Sequence, residues 1–215
     1  MPSPTEPPRD CLLCPRLADF RYENQHKYPG WFNAPVPNWG DSTPKLIIVG
    51  LAPGLQGANR TGRPFTGDYA GDLLFQTLGR AGLTTGTYQA SVDDGLELHD
   101  VLIANAVRCL PPQNKPTGAE IKTCRQFLSA TLEANSQARV YLALGRIAHE
   151  SFLSTIGVRR AAYPFAHGAR HEFEGGRVLF DSYHCSRYNT NTKRLTETMF
   201  EDVVFAATKE ALNQI

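Results

Sequence analysis

Four short apolar runs punctuate the chain, at residues 45–50 (KLIIVG), 101–107 (VLIANAV), 140–144 (VYLAL) and 178–183 (VLFDSY). None alternates strictly between apolar and polar positions, so each predicts a strand covered on both faces. Between them the spacing becomes that of amphipathic helices. Asp68 opens one that carries Leu73, Leu74, Leu78 and Ala81 before Gly82 stops it. Thr117-Gly118-Ala119-Glu120 has capping-box spacing ahead of Phe127, Leu128 and Leu132. Residues 146–153 and 196–212 are the remaining helical stretches. This alternation predicts an α/β fold: a single three-layer domain over residues 11–215, with a central four-stranded parallel sheet flanked by helices. Ligands of such sheets sit beyond the carboxyl ends of the strands, which directs attention to the segments that follow each run.

Composition narrows the picture. A chain of 215 residues suffices for one domain that buries roughly 70% of its unfolded surface. No apolar run approaches the roughly 18 residues of a membrane span, so no membrane partner is expected. Residues 1–10 are rich in proline and lack the basic-then-apolar order of a signal peptide; they read as a disordered leader, and the expected location is cytoplasmic. We expect a monomer. A formal net charge of +1 rules out a broad basic footprint, so any nucleic-acid contact must be local. Arg60, Arg63, Arg108, Lys115, Arg187, Lys193 and Arg194 all fall in or beside the segments described next.

The loop after the first run, residues 50–68, reads GLAPGLQGANRTGRPFTGD. Its glycines allow a backbone to approach a ligand closely and to aim N–H groups at it. Neither G-x-x-x-x-G-K-[ST] nor G-x-G-x-x-G is present, so nucleotide-binding fingerprints fail on spacing. Phe65 offers an aromatic face on which a flat ligand could stack, or it plugs the core. Asp68 is the loop's only carboxylate. It either caps the helix or orients water and stabilises a cationic transition state.

Cysteines supply a second constellation: Cys11 and Cys14 as C-x-x-C, then Cys109 and Cys124, with Cys185 apart. Two pairs suggest a four-thiolate site, and zinc, an iron–sulfur cluster and unligated burial all remain open on spacing alone. The third constellation follows the last run, as Tyr183-His184-Cys185-Ser186-Arg187-Tyr188-Asn189. His184 could donate to a developing anion or serve only the structure. A Cys185–His184 nucleophilic pair is disfavoured, because adjacent side chains point apart.

GLAPG followed by GxNRTGRPFTGD, then NAVRC-x-PP-x-N-K-P, then YH-x-S-x-x-N-x-x-T-x-R-L-T, stand in one order along the chain. Together they resemble the iron–sulfur uracil-DNA glycosylases, specifically the family 5 branch usually called type B. The resemblance implies a base-excision enzyme acting on DNA that contains uracil or other damaged bases, with a [4Fe-4S] cluster held by Cys11, Cys14, Cys109 and Cys124. It implies a base pocket in which Phe65 stacks on the flipped base, Asn105 reads its edge, and Gly50, Ala52, Pro53 and Gly54 form the wall. Other uracil glycosylases carry a polar residue directly after the loop's first glycine, where this chain has Leu51. Type B shares that gap and relies on the later aspartate, matching Asp68, and on the asparagine matching Asn114, with His184 as donor to the leaving base. Arg60, Ser186, Arg187, Tyr188 and Arg194 are the expected DNA contacts, Arg187 and Tyr188 the wedge candidates. Cys185 stands where the family carries proline or another small apolar residue. Two competing readings are a glycosylase that prefers hypoxanthine or xanthine, and a module that binds damaged DNA without cutting it.

Overall fold

The computed structural model describes residues 5–213. In chain order the strands are β1 (Trp39–Gly40), β2 (Leu46–Gly50), β3 (Thr84–Thr85), β4 (Glu97–Leu98), β5 (Val101–Asn105), β6 (Val140–Leu144), β7 (Arg170–Phe173) and β8 (Arg177–Ser182). The helices are α1 (Pro15–Lys27), α2 (Ala58–Thr61), α3 (Tyr69–Arg80), α4 (Gly118–Ala134), α5 (Arg146–Thr155), α6 (Arg187–Asn191) and α7 (Glu197–Asn213).

The four apolar runs become β5, β2, β6 and β8, adjacent in that order and mutually parallel. Every residue of β2, β5 and β6 is buried, because successive side chains enter two different cores. Leu46, Ile48 and Ile103 pack with Leu74 and Leu78 of α3 and Phe200 of α7. Ile47, Val49 and Leu102 pack instead with Leu128 of α4 and Phe152 of α5. Each such side chain contributes roughly 1.5–3 kcal/mol by leaving water. Both faces are covered, which is why the runs are continuous rather than alternating.

Two antiparallel edge strands extend the sheet to six: β1 beside β5 and β7 beside β8. The sequence reading did not include them. β7 holds Arg170 and Glu172 outward, the charged pattern of an edge that must not pair further. Helix α1 was also missed. Its inward face is Leu17, Ala18, Arg21 and Asn24, helical in spacing but half polar. The two caps appear where spacing put them: Asp68 accepts from the Gly71 N–H, and Thr117 and Glu120 bond reciprocally.

Residues 1–4 of the expected leader lie outside the described residues. Beyond them, Glu6 accepts from the Asn38 N–H (3.0 Å) and from Arg108 Nη1 (3.2 Å), and Arg9 donates to the Phe32 carbonyl (3.2 Å). This part of the segment is held against the domain. Among the described residues, no helix is long and apolar enough to cross a membrane.

Candidate active site

A cleft of about 880 Å³ opens at the carboxyl ends of β2, β5, β6 and β8. The chain leaves β2 for β5 on one side and then crosses to β6 on the other, so this is the switch point where an open α/β sheet leaves a crevice. Ala52, Pro53 and Gly54 form one wall, and Phe65, Asp68, Asn105, Asn114 and His184 face the same space. Ser186, Arg187 and Arg194 stand at its edge.

Phe65 adopts a left-handed backbone conformation (φ 54°), which costs a residue with a Cβ about 1–2 kcal/mol. That turn presents its ring to the cleft while leaving it only 8% exposed. Gly50 lies beneath: a Cβ there would meet both the Asn105 amide and the Phe65 ring. Asn105, the last residue of β5, is 4% exposed, and its Oδ1 is buried without a hydrogen-bond partner. A buried orphan acceptor is costly to the fold. Here it lines the cleft, so a ligand N–H can satisfy it.

Asp68 accepts from the Gly71 N–H at 3.4 Å, and its carboxylate rests on the loop at Gly57, where a Cβ would collide with it. Burial raises its pKa above the ordinary carboxylate value, against the lowering effect of the Gly71 and Ala70 amides. It is thus both the cap of α3 and a cleft carboxylate. His184 is held through its carbonyl, which accepts from Asn189 Nδ2 at 2.8 Å. Burial lowers the imidazole to about 4, so at neutral pH the ring is an uncharged donor. Its centroid lies 5.9 Å from that of Phe65. Cys185 turns the other way, fully buried, its thiol donating to the Ala70 carbonyl.

Three arginines at the mouth rest on aromatic rings: Arg187 over Tyr69 (5.3 Å), Arg194 over Tyr183 (4.5 Å) and Arg146 over Phe165 (5.5 Å). Among the described residues none of the three is in an ion pair. Arg146 was missed by sequence reading, as were Asn189 and Phe165; its place as first residue of α5, directly after β6, was the available signal. Three expected residues do not line the cleft. Gly50 is underneath it, Arg60 is exposed at the end of α2, and Tyr188 projects from α6 at 72% exposure. Ser186 caps that short helix by accepting from the Asn189 N–H.

Behind the β5 exit, all four expected cluster cysteines border one small apolar cavity. Cys109, Cys124, Leu17 and Phe127 pack there with Cys14 against them. Cys124 Sγ accepts from the Arg108 N–H (3.3 Å), and Arg21 Nη1 approaches Cys109 Sγ (3.9 Å). Burial pushes the Cys14 thiol up to about 11 and that of Cys109 to about 12. Among the described residues, no three of these sulfurs lie within 4.8 Å of one another. A tighter group, His149, His171 and Asp181, does gather within that distance. There, however, His149 meets Asp181 Oδ1 at 2.7 Å and the Tyr163 carbonyl at 2.9 Å, so both ring nitrogens are engaged and the trio acts as a brace for β8.

Residues 37–207 match the profile of the family described as the Uracil DNA glycosylase superfamily. The chain is similar to the Type-5 uracil-DNA glycosylase of Thermus thermophilus, with 45% identity over 206 residues that make up 94% of each chain. The Type-5 uracil-DNA glycosylase of Pyrobaculum aerophilum is 41% identical over 94% of this chain and 89% of its own. The Type-4 uracil-DNA glycosylase of the same organism matches less, at 35% identity over 70% of this chain and 63% of its own.

Proposed function

The chain belongs to the uracil DNA glycosylase superfamily, and on that premise we propose that it hydrolyses the N-glycosidic bond of uracil, and of related deaminated or modified bases, in DNA. One observation carries the reading. Asn105 holds a buried, unpartnered amide oxygen at the floor of a cleft whose walls are an aromatic ring, a carboxylate and an uncharged imidazole. An amide pairs with both a carbonyl and an N–H, the edge that uracil presents.

A base inside a duplex is out of reach, so it must be turned out of the stack, at a cost of a few kcal/mol. Stacking on Phe65 and pairing with Asn105 offset that cost. As the glycosidic bond breaks, the sugar gains positive charge and the base negative charge. Asp68 faces the first and takes a proton from the attacking water; His184, neutral and therefore able to donate, faces the second. Asn114, exposed at the rim on a turn with φ 56°, helps hold that water. Arg187, Arg194 and Arg146 grip phosphates around the extruded nucleotide, pre-organised by the rings beneath them. Arg60 and Ser186 contact the backbone further out, and Tyr188 is the side chain free to enter the duplex.

Cys11, Cys14, Cys109 and Cys124 would hold a [4Fe-4S] cluster. Their fit rests on the chemistry of the donor set: four thiols border one apolar cavity whose lining holds no histidine or carboxylate. When bound, the cluster would supply a cationic core that neutralises the thiolates and ties the start of α1 to the β5 exit. The reading has the protein working in a reducing cytoplasm, where thiols stay available as ligands.

The test is base release from single- and double-stranded DNA carrying uracil, hypoxanthine or xanthine. Uracil release is expected. Release of purines alone, or DNA binding without release, would replace this reading with one of its two competitors. Brown protein with broad visible absorbance is expected, and colourless zinc-loaded protein would overturn the cluster.

A further inference from the structure

Thr61, Arg63 and Thr66 bond one another within the loop that carries Phe65 and Asp68, but two of its backbone groups turn outward. Phe65 is left-handed at φ 54°, and Gly67 follows at φ 91°. Two such residues either side of Thr66 leave Phe65 O and Gly67 N outside any helix or strand. Both find the same partner. Tyr88 Oη donates to the Phe65 carbonyl at 3.2 Å and accepts from the Gly67 N–H at 3.2 Å. Tyr88 comes from the hairpin loop between β3 and β4 and is not itself part of the cleft lining.

That hairpin is itself anchored to the same segment. Arg63 makes a two-pronged ion pair with Asp94, at 2.8 and 2.7 Å, with both side chains buried. Asp94 also accepts from the Gln89 and Leu96 N–H groups, which shapes the loop that presents Tyr88. Arg63 in turn donates to Thr66 Oγ1 at 2.7 Å and lies over the Trp39 ring. The Tyr88 ring packs on Phe75 of α3, 4.6 Å between centroids. Gly71 leaves the space: a Cβ there would strike both Phe65 O and Tyr88 Oη. Tyr88 and Arg63, neither of which lines the cleft, therefore converge on residues 65–67.

We infer that Tyr88 is a positioning residue for base excision: its hydroxyl bridges Phe65 O and Gly67 N and so fixes the stacking ring. Arg63 and Asp94 hold Tyr88 in range. The inference rests on the glycosylase reading for its consequence, since a ring misplaced by about 1 Å can cost roughly 100-fold in rate.

Tyr88→Phe removes the hydroxyl and keeps the ring on Phe75. Single-turnover uracil release is expected to fall roughly 10- to 100-fold, with the affinity for product DNA held. Hydrogen exchange at residues 65–68 should rise roughly tenfold while the sheet is unchanged. Adding Tyr88→Phe to Phe65→Ala should cost little more than Phe65→Ala alone, because both act through one ring. A wild-type rate in Tyr88→Phe, or losses that multiply in the double variant, would overturn the inference. If the wild-type chain releases no base, the glycosylase reading fails first. The brace is then judged on exchange, and unchanged protection at 65–68 overturns it.

Discussion

Asn105 and Cys109 leave the same strand four residues apart, yet they belong to regions built on opposite terms. The cleft is made of groups left wanting inside an otherwise finished fold: a left-handed Phe65, an unpartnered Asn105 Oδ1 and a His184 whose imidazole is lowered to about 4. The sheet and its hydrogen bonds hold them there, so the polypeptide alone completes the region. The cysteine layer is the reverse. The Cys109 and Cys124 thiols are buried among apolar side chains that raise their pKa, with two buried arginines nearby, Arg21 and Arg108. On the proposed reading such a layer is completed by the cluster, whose cationic iron core takes the thiolates. Chain order then joins the two regions. Cys109 and Cys124 bracket the turn that presents Asn114, and Arg16, two residues after Cys14, forms a two-pronged pair with Glu120 (2.8 and 2.7 Å) at the end of that turn.

The largest test of this contrast lies in the cleft. Asp68→Asn should lower single-turnover uracil release roughly 1,000-fold while product-DNA affinity stays within about threefold. Because burial raises the Asp68 pKa, the wild-type rate should climb with pH through a midpoint above the usual carboxylate range, and the variant should lose that limb. Equal losses of rate and affinity would make Asp68 a cap and nothing more.

Cys109→Ser should act on the other region first. Visible absorbance should vanish and the Tm fall by roughly 10 °C, with a rate loss close to that of Asn114→Ala. An unchanged Tm would dissolve the contrast, since the layer would then be complete without its ligand.

A smaller effect, roughly 100-fold in rate, is expected of His184→Ala. Its stability readout is distinctive. The folded imidazole titrates near 4 rather than 6.5, so the unfolded chain takes up a proton that the folded chain refuses. Stability should fall as pH drops from 6.5 towards 4, and the variant should flatten that part of the curve in denaturant titrations. The smallest change belongs to the rim: Arg146→Gln should reduce the slope of log affinity against log salt by about one, with the rate on bound DNA preserved.

Much of this was legible in the sequence because the physics is local there. Continuous apolar runs marked the four parallel strands, and Asp68 and Thr117-to-Glu120 marked helix starts by capping chemistry. Motif order pointed to Phe65, Asp68, Asn105, Asn114 and His184, and all five face one cleft. What failed to show did so for a common reason. Helix α1 buries Arg21 and Asn24 where apolar residues would have announced it, and β1 and β7 are short edges that each give one aromatic ring, Trp39 and Phe173, to a core.

The sequence by itself determined which elements form and which residue types were available for chemistry, since strand burial, capping and side-chain identity are properties of short stretches. Only the tertiary structure decided that a tyrosine 23 residues from Phe65 holds its backbone, that Arg146 joins Arg187 and Arg194 at one mouth, and that His184 is neutral. Those depend on what lies across space from each group, and distance along the chain carries no trace of it.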